Sequence, residues 1–279
     1  AQLNNGETMM ILVTGGNGHL GQRIVKNLLS LLADTSGLAV TTRDTGSAAA
    51  RQMKSNGINV RHGDFDDADS MERAFEGVEK VFMISTFSPN DQRVGQHQNA
   101  IEAATRAGVR HLFYTSFMNS TPQSECDHAE VHMATEDCIR ASGLTYTILR
   151  DGVYLENCLL ADLKQTFETG QLLRAGGGGK ISMIGRDNLA KSAAHVLVGE
   201  GHENRTYETT GPQSLSYHDG AELLSSVFDR EITYVEATPE EQYEYYVGLG
   251  VPEYMARATI SSARAILAGE YDRVTDDFR

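Results

Sequence analysis

Along the first 150 residues, short apolar runs alternate with longer stretches in which apolar side chains return every three or four positions. Met9 to Val13 is continuously apolar, and Leu20, Ile24, Val25, Leu28 and Leu29 then recur at helical spacing. That pattern predicts a buried strand followed by an amphipathic helix. The runs "GLAV", "INV", "KVFMIS", "HLFYTS" and "TYTILR" come next, each separated from the last by a helical pattern. Strands alternating with helices imply parallel βαβ units, so the pattern predicts an α/β fold with a doubly wound parallel sheet. Sites in such sheets lie where strands end, which selects the loops beginning near Thr14, Thr42, His62, Ser85, Thr115 and Arg150.

Beyond Arg150 the alternation loosens. "DGVYLENCLLADLKQTFETG" reads as loop then helix, "RAGGGGKISMIG" as a glycine loop and short strand, "RDNLAKSAAHVLVGE" as a helix and "RTYETTG" as a strand returning to the sheet. The expected organisation is a nucleotide-binding core over residues 9–152, joined by 186–210. Residues 153–185 and 211–279 form a smaller C-terminal substrate lobe. Gly176 to Gly179 precede Lys180, but Ile181 stands where a phosphate loop needs Ser or Thr, so this stretch reads as a mobile loop. The chain contains no internal repeat.

The turn after the first strand, "TGGNGHLG", fits two overlapping glycine templates: Gly15, Gly18 and Gly21, or Gly16, Gly18 and Gly21. Either lets a pyrophosphate approach bare backbone at a helix N-terminus, where unpaired N–H groups and the helix dipole favour an anion. A glycine turn that merely packs tightly is the plainer alternative. The strand before and helix after favour a Rossmann-type dinucleotide site, with Thr14, Gly15, Gly16, Asn17, Gly18, His19 and Leu20 as its first contacts.

Charge narrows the function classes. The 279 residues carry a formal net charge of -14, which argues against nucleic-acid binding, since that needs a basic surface to replace phosphate counterions. No apolar run reaches the length of a membrane span, and "AQLNNGET" lacks a signal peptide's basic start and apolar centre. The residues before Met9 read as a polar tail and the chain as cytoplasmic. Cys126, Cys138 and Cys158 form no C-x-x-C pair and are expected to be buried structural thiols in a reducing compartment.

Cofactor choice turns on the end of the second strand, Val40 to Asp44. An arginine there meets a 2'-phosphate, whereas a carboxylate accepts from a 2'-hydroxyl. Arg43, with Thr42 beside it, favours NADP(H); Asp44 would reverse the preference if the register shifted by one. Typical short-chain dehydrogenases pair a tyrosine with a lysine four residues later. Four places before Lys26, Lys54, Lys80, Lys164, Lys180 and Lys191 stand Gln22, Ala50, Glu76, Leu160, Gly176 and Asp187, so the usual phenol–lysine pair is absent.

The stretches "TGGNGHLG", "VRHGDFDD", "VHMATEDCIR", "TYTILRDGVY", "GHENRTY" and "GVPE" resemble the NmrA-like, atypical branch of the short-chain dehydrogenase/reductases, on the side of its triphenylmethane and quinone reductases. The resemblance implies an NADPH-dependent reductase that passes hydride to a quinone, a cationic dye or a similar electron-poor aromatic. It also implies Arg43 at the 2'-phosphate, Asp64 and Phe65 beside the adenine, and Ser85, Thr86, Phe87 and Ser116 along the ribose and nicotinamide. The turn from Arg150 to Tyr154 would close over the nicotinamide, where the resemblance leads one to expect asparagine rather than Asp151. His132 occupies the place of the lysine in lysine-bearing relatives, so it is the candidate for holding the nicotinamide ribose or delivering a proton. His128, one turn earlier, is expected to be a surface residue. Phe87, Phe117, Met118, Tyr154 and Leu155 are candidate walls for an aromatic substrate.

Two rival classes stay in view. Cys126, His128, Glu130 and His132 crowd seven positions, yet Glu130 falls off the face that the two histidines share, so no metal is expected. The NmrA-like family also contains redox sensors that bind a dinucleotide without turning it over. Either a monomer or a homodimer is compatible with the sequence.

Overall fold

A computed structural model of the chain describes residues 9–277; the polar segment before Met9 lies outside them. The described chain falls into two compact units. One comprises the residues up to Ser116 with Met133–Leu149 and Asp187–Tyr207; the other comprises Phe117–His132, Arg150–Arg186 and the residues from Glu208 onward. The stretch 117–132, which the sequence suggested would continue the first core, thus falls in the second unit.

The alternation of the first unit follows the apolar pattern. β1 (Ile11–Val13), β2 (Leu38–Thr42), β3 (Asn59–His62), β4 (Lys80–Met83) and β5 (His111–Phe117) alternate with α1 (His19–Leu31), α2 (Ala48–Ser55), α3 (Ala68–Phe75) and α4 (Asn90–Arg106). α5 (Asp127–Ala141), β6 (Thr145–Asp151), α8 (Arg186–Val198) and β8 (Arg205–Thr209) continue the sheet, whose strand order is β3-β2-β1-β4-β5-β6-β8. β1 pairs in parallel with both β2 and β4, setting Val13 opposite Val40 on one side and Phe82 on the other. The order therefore reverses at β1, and the crevice outside the β1 and β4 ends is where such sheets bind ligands. Leu12, Val81, Met83, Leu112 and Tyr114 are buried between helices, with Met71, Phe75, Ile101 and Ile139 packed on them. Strands covered on both faces explain the unbroken apolar runs.

The second unit has its own core, built around Met118, Cys158, Leu172, Ile181, Tyr217, Leu224, Ile266 and Tyr271. Its elements include α6 (Leu155–Leu159), α7 (Leu163–Thr169), α9 (Tyr217–Phe228), α10 (Pro239–Gly248) and α11 (Glu253–Leu267). Both α9 and α10 start with a full capping box, Ser216 with Asp219 and Thr238 with Glu241, each satisfying two otherwise orphaned N–H groups. β7 (Gln171–Arg174) pairs in parallel with β9 (Thr233–Glu236).

Several local expectations need correction here. The strand expected after the glycine run lies before it, as β7; Ile181 and Ile184 make only isolated bridges. The glycine loop itself is packed rather than loose, since a Cβ on Gly176 would stand 2.8 Å from the Tyr217 ring and one on Gly179 2.4 Å from the Ile266 carbonyl oxygen. The expected single helix of 151–170 is two, α6 and α7. Between them sits buried Asp162, which binds the fully buried Arg174. β9 escaped notice because its outer residues, Thr233 and Glu236, are exposed and polar. Among the described residues, no helix is long and apolar enough to cross a membrane.

Candidate functional site

The first-unit site is a cradle of backbone. Thr14 ends β1 with its N–H on the Phe82 carbonyl at 3.0 Å, and its Oγ1 accepts the Ile84 N–H at 2.9 Å, which binds the β1 and β4 ends together. Gly15 has φ +59°, a conformation that costs an ordinary side chain strain. Its N–H donates to Thr41 Oγ1 at 3.3 Å, and the Gly16 N–H to the Thr41 carbonyl at 3.0 Å. A Cβ on Gly16 would lie 2.5 Å from Val40 Cβ, and one on Gly21 would lie 2.3 Å from the Gly15 oxygen. The glycines thus serve tight packing and bare backbone at once, so the two readings offered by the sequence are not exclusive. Gly18 begins α1 without any side-chain cap, and Asn17, Gly18 and His19 are exposed. The first N–H groups of the helix thus lack a side-chain cap, an arrangement that suits an anion.

At the end of β2, Arg43 and Asp44 have different surroundings. The Asp44 carboxylate is turned back onto the Gly46 N–H at 2.8 Å, and the Asp44 N–H meets Thr42 Oγ1 at 3.3 Å. Arg43 is exposed, and its guanidinium meets no partner among the described residues. Lys54 and Arg51 donate to the carbonyls of Thr45 and Gly46 on the same loop. Such a loop presents an unpaired cation beside a carboxylate with one oxygen engaged by backbone, and the cation suits a phosphate.

Asp64 and Phe65 follow β3. The Asp64 N–H donates to Ser70 Oγ at 2.9 Å, while the Phe65 carbonyl accepts from Asn99 at 2.9 Å. The Phe65 ring meets His97 edge-on, centroids 6.3 Å apart. After β4, the Ser85 N–H donates to Thr115 Oγ1 at 2.8 Å and Ser85 Oγ accepts from Arg93 at 2.7 Å. The Thr86 N–H donates to His97 Nε2 at 3.1 Å. Nε2 must therefore be bare, which leaves Nδ1 to carry the proton toward Thr135 Oγ1 at 2.8 Å. Burial, aided by the Arg93 charge, lowers His97 to about 3, so the ring is a neutral brace for this loop. Phe87 is 66% exposed. Ser116 is buried, and its hydroxyl donates to Glu136 at 2.6 Å, whose other oxygen binds Arg140 at 2.7 Å.

Sequence reading missed this brace of Arg93, His97, Thr135 and Glu136. A trace was available, because Arg93, His97, Ala100, Ile101 and Ala104 share the buried face of α4; polar residues on an apolar face need partners.

In the second unit, His132 is buried and its ring lies 6.0 Å from that of Phe117. Phe117 in turn meets Tyr271 edge-on at 5.7 Å. Met118 is wholly buried within the second core, against which Leu155 also packs. Tyr154 stacks under the Arg186 guanidinium at 4.7 Å and hydrogen-bonds Asp151. Among the described residues, no three His, Cys, Asp or Glu side chains gather as metal ligands. Cys126 and Cys158 are buried and burial raises both thiols, Cys158 to about 11; neither is a ready nucleophile.

Comparison with known proteins places the chain in a family. The NmrA-like family profile matches residues 7–274. Quinone oxidoreductase 2 of Escherichia coli K12 is 33% identical over 88% of this chain and 84% of its own. The NAD(P)H azoreductase of Xenophilus azovorans is 31% identical over 89% and 84%. The crystal structure of Citrobacter sp. triphenylmethane reductase complexed with NADP(H) superposes with a TM-score of 0.89 at 33% identity, covering 96% of this chain and 93% of that one. With a family match over nearly its whole length and relatives this similar, the chain belongs to the NmrA-like family.

Proposed function

We propose that this protein is an NADPH-dependent oxidoreductase that passes hydride to a quinone, a cationic dye or a similar electron-poor aromatic acceptor. The observation that carries the reading is the partnerless Arg43 guanidinium beside an Asp44 carboxylate already engaged by Gly46. A nucleotide 2'-phosphate meets that cation in a charge-assisted, two-pronged contact, which an uncharged 2'-hydroxyl cannot supply. Thr14 to Leu20 receive the pyrophosphate, Asp64 and Phe65 flank the adenine, and Ser85, Thr86, Phe87 and Ser116 line the ribose and nicotinamide. The bound dihydronicotinamide supplies the hydride chemistry; the chain supplies orientation and an apolar enclosure. His132 steadies the nicotinamide ribose, and Phe117, Tyr154 and Leu155 face the acceptor, backed by Met118.

The names of the quinone, azo and triphenylmethane reductase relatives support a turnover enzyme over a silent redox sensor. The likeness to an NmrA structure, at 15% identity, speaks to fold alone. The deciding experiment follows aerobic NADPH oxidation by the purified protein against quinones, nitroaromatics and triphenylmethane dyes. Turnover with at least one class is expected; tight NADPH binding with no turnover of any would replace the reductase reading by the sensor.

A further inference from the structure

Asp151 closes β6 with only 3% of its surface exposed. Its Oδ2 accepts the Tyr154 hydroxyl at 3.0 Å, and its Oδ1 lies 3.2 Å from Thr209 Oγ1. Neither oxygen meets a cation among the described residues. The charged groups around the pair are engaged with one another: Arg186 with Glu156 at 3.6 Å, Arg150 with Glu208 at 3.8 Å, and Arg273 with Glu208.

Charge, rather than the number of hydrogens, sets the state of this carboxyl. Thr209 has one hydroxyl proton and two acceptors within reach, Asp151 Oδ1 and the Arg150 carbonyl oxygen at 3.3 Å. When Oδ2 carries the proton it can donate to the Tyr154 oxygen, Thr209 donates to Oδ1 or to the Arg150 carbonyl, and the Tyr154 hydrogen is left for a bound acceptor. Ionising the carboxyl leaves a buried negative charge facing two hydroxyls and no cation, which is costly. Desolvation accordingly raises the Asp151 carboxyl to about 7, against the smaller opposing pull of the Tyr154 and Thr209 hydrogen bonds.

Resting on the reductase reading above, we infer that Asp151 is a proton store which, through the Tyr154 hydroxyl, supplies the proton that completes reduction of a carbonyl-type acceptor such as a quinone. The acceptor gains two electrons and one hydrogen as hydride from the bound dihydronicotinamide, and negative charge collects on its oxygen. That oxygen forms its O–H bond with the Tyr154 proton as the Tyr154 O–H bond breaks. The phenolic oxygen takes the carboxyl proton across the 3.0 Å contact, and Asp151, now a carboxylate, recovers a proton from water before the next turnover. A triphenylmethane cation needs hydride alone, so it makes no demand on the pair.

The test has one arm without cofactor and one with it. In protein carrying 13C-carboxyl aspartate and no nucleotide, infrared spectra at about pH 6 should show a protonated-carboxyl band that disappears by about pH 8.5 and is missing in Asp151→Asn. With NADPH, Asp151→Asn and Tyr154→Phe should lower quinone turnover by about 10²–10⁴-fold, far more than they lower dye turnover. The fall in wild-type quinone turnover as pH rises through about 7 should disappear in Asp151→Asn. Absence of the band at about pH 6, or equal losses for quinone and dye, would overturn the proton store. A wild-type protein that shows the band but reduces no acceptor would overturn the reductase reading, and with it the destination of the proton.

Discussion

Gly21 stands so close to Gly15 that a Cβ on it would lie 2.3 Å from the Gly15 carbonyl oxygen, although Gly15 belongs to the turn and Gly21 to the first helix. Helix and turn are held together by the lack of a side chain. Gly21→Ala should therefore push the turn away from α1, lowering Tm and weakening NADPH binding together. Gly95→Ala is the control: it sits within α4 with nothing within 4 Å of its Cβ, and should stabilise by about 0.5–1 kcal/mol. Thermal melts and NADPH titrations of both variants check this, and unchanged NADPH affinity in Gly21→Ala would show that the cradle does not need its present geometry.

Arg43→Ala should weaken NADPH binding by about 1.5–3 kcal/mol, or roughly tenfold to a hundredfold, because a charge-assisted contact is lost. NADH, which offers Arg43 no phosphate, should be nearly indifferent. Calorimetric titration with both nucleotides measures the difference, and equal losses would remove Arg43 from cofactor selection.

His132→Ala should weaken NADPH binding and slow turnover together, with similar losses for a quinone and for a dye. The imidazole is buried beside Phe117, an arrangement suited to steadying a bound group. A loss confined to quinone turnover, with binding intact, would instead make His132 an acid.

Stability should respond to pH in two opposed ways. The Asp151 carboxyl is raised from 3.8 to about 7, so between those values the folded chain holds a proton that the unfolded chain has lost, and stability drains away as pH rises through the window. His97 and His111 are lowered from 6.5 to about 3 and about 4 respectively. For them the unfolded chain binds the extra proton below 6.5, so stability is full above that value and falls as pH drops. Urea unfolding of wild type and Asp151→Asn at several pH values separates the effects. The variant's stability relative to wild type should climb from about pH 4 to about pH 7 and then level off; a constant difference would place the carboxyl at its ordinary value.

How far the sequence could be read depended on whether a residue's environment was local. The strands of the first unit were legible because burial on both faces imposes unbroken apolar runs, as at Leu38–Thr42. β7 and β9 were not, since their pairing joins Leu172 to Tyr234, residues far apart along the chain. Nor was the His97 brace, whose partners Thr86 and Thr135 lie on different elements. Asp151 was visible as an unusual residue, but only the positions of Tyr154 and Thr209 reveal what it holds.

The pairing of β7 with β9 also bears on how the chain comes off the ribosome. The cluster built around Leu12, Met71 and Tyr114, together with the side chains packed on it, lies wholly before Leu149, so that part of the first core can begin to condense while synthesis continues, although α8 and β8 of the same unit come later. The second core waits for Tyr271, and its small sheet cannot close until a strand roughly sixty positions downstream of β7 has emerged. In the interval Cys158, Leu159 and Leu172 lack the partners that later cover them. A nascent chain arrested there would present a partly condensed nucleotide-binding half tethered to a sticky, unfinished segment, the form that chaperones must shield from aggregation.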